Sequence, residues 1–250
     1  MDVTTYLKRI SYDGPLDVSE ETLRQLQLAH LRAVPFENLS IHAHEPIVLD
    51  DNALFTKIVE RRRGGFCYEV NGLFAALLRA LGFEVTMLSA EVAHAGGGFG
   101  QPFDHMVLMV NLKERRLVDV GFGDSFLEPL LIDTTSEQVQ GDQKFKLVSE
   151  GGYLVLLRGD HDEWKPQYRF TLEPHKFRDY EEMCRYHQTS PQSHFTQNRI
   201  CSRVTPDGRI TLSGMRFIVT SNDGREERLL ASQKEYEEIL REQFGISLLA

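Results

Sequence analysis

The chain has 250 residues, 41% hydrophobic and 26% charged, the make-up of a soluble globular protein long enough for a real core. Its net charge of −9 makes it a poor general binder of nucleic acid or anionic membrane, although Arg61 to Arg63 form a local basic patch. No apolar run approaches the roughly 20 residues that span a bilayer, so no transmembrane helix is expected.

The start, MDVTTYLKRI, has no basic stretch leading into an apolar one, so no secretory signal is expected. The first clear element is SEETLRQLQLAHLRAV. Ser19 and the acids after it suit a helix start, Leu23, Leu26 and His30 share a face, and Pro35 ends it. NALFTKIVERRR repeats the helical stripe through Leu54, Phe55, Ile58 and Val59, until Gly64 and Gly65 break it. From Cys67 onward, Val70, Leu73, Phe74, Leu77, Leu78 and Leu81 follow helical spacing. The pattern predicts a helix buried along one face, with Cys67 on that face and Gly82 as its stop.

After about residue 84 the period changes. EVTMLSAEV, HMVLMVNL and RRLVDV read as strands, FKLVSEGGYLVLLRG as a hairpin about Gly151 and Gly152, and YRFTLEP as another strand. ICSRVT and RITLSGMRFIVTS follow, with turns at Pro206-Asp207-Gly208 and Asn222-Asp223-Gly224. A last helix starts at Ser232, which forms a capping box with Glu235. Tyr236, Ile239, Leu240 and Phe244 make its stripe. Helices, then many strands, then a helix is an α+β order and not alternating α/β. No repeat, low-complexity tract or long linker interrupts it.

The three cysteines, Cys67, Cys184 and Cys201, have no paired spacing, so no disulfide framework is expected and a reducing, cytoplasmic setting fits. The nine histidines are scattered apart from His42 and His44, and no metal site is expected.

Cys67 stands where a glycine loop becomes a helix, a position whose dipole favours a thiolate. A thiol nucleophile also needs a base and an orienting partner, near in space but distant in sequence. His105 opens the strand HMVLMVNL, and Asp119 closes RRLVDV. The short polar connection between them predicts a hairpin that brings the two side chains together. Singly, each residue reads equally well as core, surface or turn, and the spacing leaves both readings open.

Four blocks, VPFENLSIH, RRGGFCYEVNGLF, FDHMVLMV and LVDVGFGDSFLEPL, together resemble the arylamine N-acetyltransferases. YLKRISYDGP and SPQSHFTQNRICS add to the likeness, which runs in order over most of the chain. The resemblance implies a Cys-His-Asp triad of Cys67, His105 and Asp119 on a cysteine-protease-like core. It also implies three regions: a helical one over 1–83 carrying the cysteine, a β-barrel-like one over 84–185 carrying His and Asp, and an α/β lid segment over 186–250. Acetyl-CoA is then the co-substrate, with no metal, and a small aromatic amine or hydrazine the acceptor, in a monomer or homo-oligomer without nucleic-acid or membrane partners.

The same resemblance places Phe36, Phe103, Asp104 and Phe122 at the acceptor and Gln101 and Pro102 at CoA. It gives Glu37 and Arg63 a structural ion pair that holds the cysteine loop. The last helix is expected to dock on the third segment and help close the cleft. A hydrolase or transglutaminase-like enzyme with the same triad, and a catalytically silent binding protein, are the competing expectations.

Overall fold

The structure is a computed structural model that describes residues 1–160 and 163–247. Helix α1 (Val3–Arg9) begins at Asp2, whose carboxylate accepts the Thr5 N–H at 3.1 Å. Helix α2 (Glu20–Ala33) is capped at Ser19, whose Oγ accepts the Thr22 N–H, and it buries Leu23, Leu26, Gln27 and His30. Strand β1 (Phe36–Glu37), α3 (Leu39–His42) and α4 (Asp51–Phe55) follow. The helix expected over NALFTKIVERRR does not run on as one α-helix: α4 passes into a wider π-helical turn, Thr56–Glu60, before Arg62 turns left-handed at φ +55.

Helix α5 (Cys67–Ala80) differs from the one-faced helix that its spacing predicts. Eleven of its fourteen residues are buried, Glu69 and Asn71 among them. The reason is its place. It packs on α1 and α4 on one side and on strands β2 (Glu84–Val92) and β3 (His105–Asn111) on the other.

The central sheet continues through β4 (Arg115–Val118), β5 (Leu130–Leu131), β6 (Gln138–Gln140), β7 (Gln143–Glu150), β8 (Tyr153–Asp160) and β9 (Glu163–Phe170). Its eight strands run β5-β4-β3-β2-β9-β8-β7-β6, antiparallel throughout, so β5 and β6 are the two edges. Glutamine side chains bridge these edges. Gln138 Oε1 accepts the Leu131 N–H at 2.7 Å and its Nε2 donates to the Leu131 carbonyl at 3.0 Å, while Gln140 treats Leu127 and Glu128 alike. The sheet is therefore nearly closed, and its edges are not left as open templates.

Strand β3 is the wall shared by two cores, which is why HMVLMV is apolar without alternation. Met106, Leu108 and Val110 face the helical core with α5, while Val107 and Met109 face the barrel interior with Phe126, Tyr168 and Phe170.

Helices α6 (Glu181–Thr189) and α7 (His194–Gln197) lead into a second antiparallel sheet of β10 (Ile200–Thr205), β11 (Gly208–Ser213), β12 (Arg216–Ser221) and β13 (Gly224–Leu229). The stretch RITLSGMRFIVTS is thus two strands, turned at Gly214 with φ +57. Strand β1 joins this sheet through Phe36↔Ser202 and Glu37↔Cys201. The last helix, α8 (Gln233–Phe244), packs its stripe of Tyr236, Ile239, Leu240 and Phe244 on Leu39, Cys201, Ile210 and Leu212. Ser232 caps it, but the Glu235 carboxylate reaches back to the Ala231 N–H and not to Ser232. Among the described residues no helix is long and apolar enough to cross a membrane.

Candidate active site

The loop before Cys67 is held from beneath. Arg63 Nε donates to Glu37 Oε1 at 3.0 Å, the Gly64 N–H donates to the same oxygen, and Glu37 Oε2 accepts the Leu39 N–H at 2.6 Å. Burial alone would raise the Glu37 carboxyl, but Lys57 and Arg63 outweigh it and hold the group below its ordinary value. Glu69 Oε2 takes the Phe66 N–H at 3.1 Å and its Oε1 meets Lys57 Nζ at 2.6 Å. Cys67 therefore enters the helix from a clamped loop.

His105 starts β3, and Asp119 is the first residue past β4, whose register pairs Leu108 with Val118. The hairpin brings His105 Nε2 to 2.8 Å from Asp119 Oδ2. Asp119 Oδ1 accepts Asn71 Nδ2 at 2.9 Å and the Gly121 N–H at 2.8 Å. With the carboxylate as acceptor, the contact calls for the Nε2–H tautomer, which puts the ring lone pair on Nδ1.

Asn71 lies one helical turn after Cys67. It also donates to the Met106 carbonyl at 2.8 Å and accepts the Val120 N–H at 2.9 Å. One side chain thus ties the cysteine helix to both strands of the hairpin. Gly121 has to be glycine: a Cβ there would stand 2.7 Å from both Cys67 Cα and Asn71 Nδ2.

Cys67, His105, Phe36 and Phe122 border one cavity of about 610 Å³, a usual size for a small-molecule site. The Phe122 ring meets the His105 ring edge-on at 5.2 Å, and Tyr168 backs both. Gln101 and Asp104 are on the wall as well. Pro102 and Phe103 are not. Phe103 is left-handed at φ +65, and its ring turns onto His175 and Tyr180 at 4.8 and 5.2 Å. Its carbonyl accepts Tyr68 Oη at 2.6 Å and its N–H donates to Ser89 Oγ at 2.7 Å. Phe103 packs and anchors the loop before His105, and Pro102 is exposed and off the cavity wall.

The far wall comes from residues that composition and spacing do not single out: Met183, Tyr186, His187, Ser193 and Phe195, from α6 and α7. His187 Nε2 lies 3.2 Å from Asp104 Oδ1 and its Nδ1 3.0 Å from Ser193 Oγ. Of these wall residues, only Ser193 and Phe195 fall in a block that carries the family resemblance, SPQSHFTQNRICS. No residue of α8 borders the cavity among the described residues, so the closing wall is the α6–α7 corner and not the last helix.

Cys67 is buried, and burial pushes its thiol well above the ordinary value. A main-chain hydrogen bond from Met106 opposes this, while Asp104 and Asp119 add to it. The helix start does not prevail over desolvation, so a lone thiolate is disfavoured here.

A family model described as N-acetyltransferase matches residues 19–250. Arylamine N-acetyltransferase 2 of Mus musculus is 35% identical over 277 residues, covering 99% of this chain and 95% of that protein. The arylamine N-acetyltransferase of Escherichia coli K12 is 34% identical, covering 97% and 88%. The solved structure of the Mycobacterium marinum arylamine N-acetyltransferase in complex with CoA is 34% identical with a TM-score of 0.92, covering 98% of this chain and 93% of that one. With sequence and fold both matched over nearly their whole lengths, the chain belongs to the arylamine N-acetyltransferase family and is an acetyltransferase.

Proposed function

We propose that the protein transfers an acetyl group from acetyl-CoA to an aromatic amine or hydrazine through an acetyl-Cys67 intermediate. The observation that carries this is the His105–Asp119 contact of 2.8 Å, with His105 and Cys67 both on the wall of one cavity, in a chain whose relatives are arylamine N-acetyltransferases.

The chemistry follows from charge balance. A buried thiolate alone is costly, but moving the Cys67 proton to His105 Nδ1 creates an ion pair with no net charge change. Asp119 holds the ring and faces the imidazolium that forms. The thiolate attacks the thioester carbonyl, the C–S bond to CoA breaks, and the CoA sulfur leaves with the proton from His105. The amine then attacks acetyl-Cys67, His105 takes the amine proton, and the Cys67 sulfur leaves with it. This is ping-pong catalysis. The Cys67 N–H, in the open first turn of α5, is a donor for the oxyanion.

Phe36 and Phe122 offer aromatic faces to the acceptor, with Asp104 at the rim, and Gln101 belongs to the CoA side. Intact-mass and peptide spectrometry after incubation with acetyl-CoA tests the reading. An acetyl group on Cys67 that disappears on adding an arylamine supports it. An acetyl group on Cys184 or Cys201 with Cys67 unmodified overturns it.

A further inference from the structure

A second cavity, also about 610 Å³, lies between the loop after α1, α2, β10 and α8 and shares no wall residue with the active-site cavity. Five arginines border it: Arg9, Arg24, Arg32, Arg62 and Arg203. Arg24 is already paired, with Glu21 and Glu128 at 2.6 and 2.9 Å. Among the described residues the other four have no carboxylate partner.

Two of these four are fixed in place. Arg9 is buried and donates only to main-chain carbonyls, those of Ile58, Ala33, Arg62 and Arg63. Arg203 donates to the Arg32 and Gln243 carbonyls at 2.8 and 2.6 Å, and its Nε is buried with no partner. Carbonyls satisfy N–H groups without cancelling the charge. Arg32 and Arg62 are exposed, and among the described residues their guanidinium ends meet no partner. The acids on the same wall are Asp13 and Glu242, and Glu242 lies 3.6 Å from Arg241. Burial first, and then the charges of Arg62 and Arg203, brings Arg9 down to about 10. These cations feel one another. In a chain of 37 acidic and 28 basic residues, this concentration of unpaired positive charge runs against the average.

We propose that this cavity binds a small anion carrying two or more phosphate charges. Two preset guanidiniums form its floor, and two exposed ones, Arg32 and Arg62, close on the ligand. Arginine matches phosphate oxygens with paired N–H donors, and four positive charges in one cavity favour a multiply charged ligand over a single carboxylate. The cavity has the volume of a small-molecule site, and Tyr12 gives its wall an aromatic edge.

The test is isothermal titration of the full chain with inorganic tripolyphosphate at fixed ionic strength, on three proteins. These are the wild type, Arg32→Ala/Arg62→Ala, and a control of equal charge change, Arg178→Ala/Arg225→Ala, far along the chain on exposed residues. One tripolyphosphate per chain is expected. Its affinity should fall about tenfold or more in the first double variant, as two charge-assisted contacts are lost, and stay within about twofold in the control. Absence of binding to the wild type overturns the proposal. So does an equal loss in both variants, which would mark diffuse electrostatics, or no loss in Arg32→Ala/Arg62→Ala, which would place the anion elsewhere.

Discussion

Asn71 Nδ2 stands 2.9 Å from Asp119 Oδ1, so the helix that carries the thiol also orients the carboxylate behind the imidazole. The pair fixes the distance between two elements that are far apart in sequence. Replacing Asn71 by Ala should leave Cys67, His105 and Asp119 chemically intact but loosely registered. A shift of about 1 Å in such a site costs on the order of a hundredfold in rate. The expected result is a fall in kcat with little change in KM for acetyl-CoA. A fold-wide loss of stability with normal kcat in the remaining folded protein would show that Asn71 only packs.

Asp119→Asn removes the charge facing the imidazolium and permits the wrong ring tautomer. Transfer should fall by roughly a hundredfold or more, by analogy with other orienting carboxylates. Stopped-flow measurement of the first acetyl transfer isolates this step. Near-normal acetylation of a folded Asn variant would mean that another group orients His105.

Gly121→Ala places a methyl 2.7 Å from the Cys67 backbone, where the opposing atom is main chain and cannot swing away. The cost of such overpacking is about 1–3 kcal/mol, read as a lower urea midpoint at unchanged slope. Because the strain falls between Cys67 and Asp119, activity per folded molecule should fall too. A variant as stable and active as wild type would show that the two segments separate freely.

Glu37→Gln removes the buried counter-charge of Arg63 and leaves it only the half-exposed Glu45 at 3.6 Å, a loss of up to about 3–5 kcal/mol at neutral pH. The Glu37 carboxyl is held below its ordinary value in the folded state. Its contribution is therefore present above the unfolded value, about 4.3, and is lost as pH falls through the folded one. The difference in unfolding free energy between wild type and variant should shrink below about pH 4. A difference that is constant with pH would assign the effect to packing alone.

His30 gives a second pH effect. Burial lowers it to about 3, and its Nδ1 lies 2.9 Å from Tyr6 Oη. Above about pH 6.5 it is neutral in both states and contributes nothing to the pH dependence. Below that the unfolded chain takes a proton that the folded one refuses, so stability falls, by roughly 3 kcal/mol at about pH 4. His30→Gln keeps a polar partner for Tyr6 and cannot titrate, so its stability should drop less between pH 7 and 4. Equal drops in both proteins would remove His30 from the acid response.

The sequence was most legible where the physics is local. Ser19, Pro35, Gly82 and the stripe of α5 mark helix ends and a buried face within a few residues, and the β3–β4 connection is short enough to imply its own pairing. Asn71 was hidden because its partners, Met106 in β3 and Asp119 and Val120 just past β4, are brought to it only by the tertiary fold. Strand β13 was hidden for the opposite reason. All six of its residues are exposed, so no apolar alternation exists to find, and its charges protect an edge. The α6–α7 corner carries His187 and Phe195 into the cleft, yet MCRYHQTSPQSHF shows neither a long helical period nor a paired metal spacing. Phe103 shows that nearness to His105 in sequence is not nearness to the cavity: its own left-handed backbone carries its ring onto His175 and Tyr180.

The pairing of Phe36 with Ser202 has a consequence for how the molecule comes into being on the ribosome. The cysteine loop is clamped by Glu37, and Glu37 sits in a two-residue strand whose sheet partner is β10. The residues Cys67, His105 and Asp119 all leave the ribosome before that partner does. A chain stalled between Asp119 and β10 holds Cys67, His105 and Asp119 but not the strand that steadies the loop beneath the thiol. Closing so long a segment is slow relative to local helix formation, as its entropy must be met before its contacts form. Reactivity of Cys67 toward the acetyl donor should therefore switch on late in synthesis, after the chain has grown past Thr205.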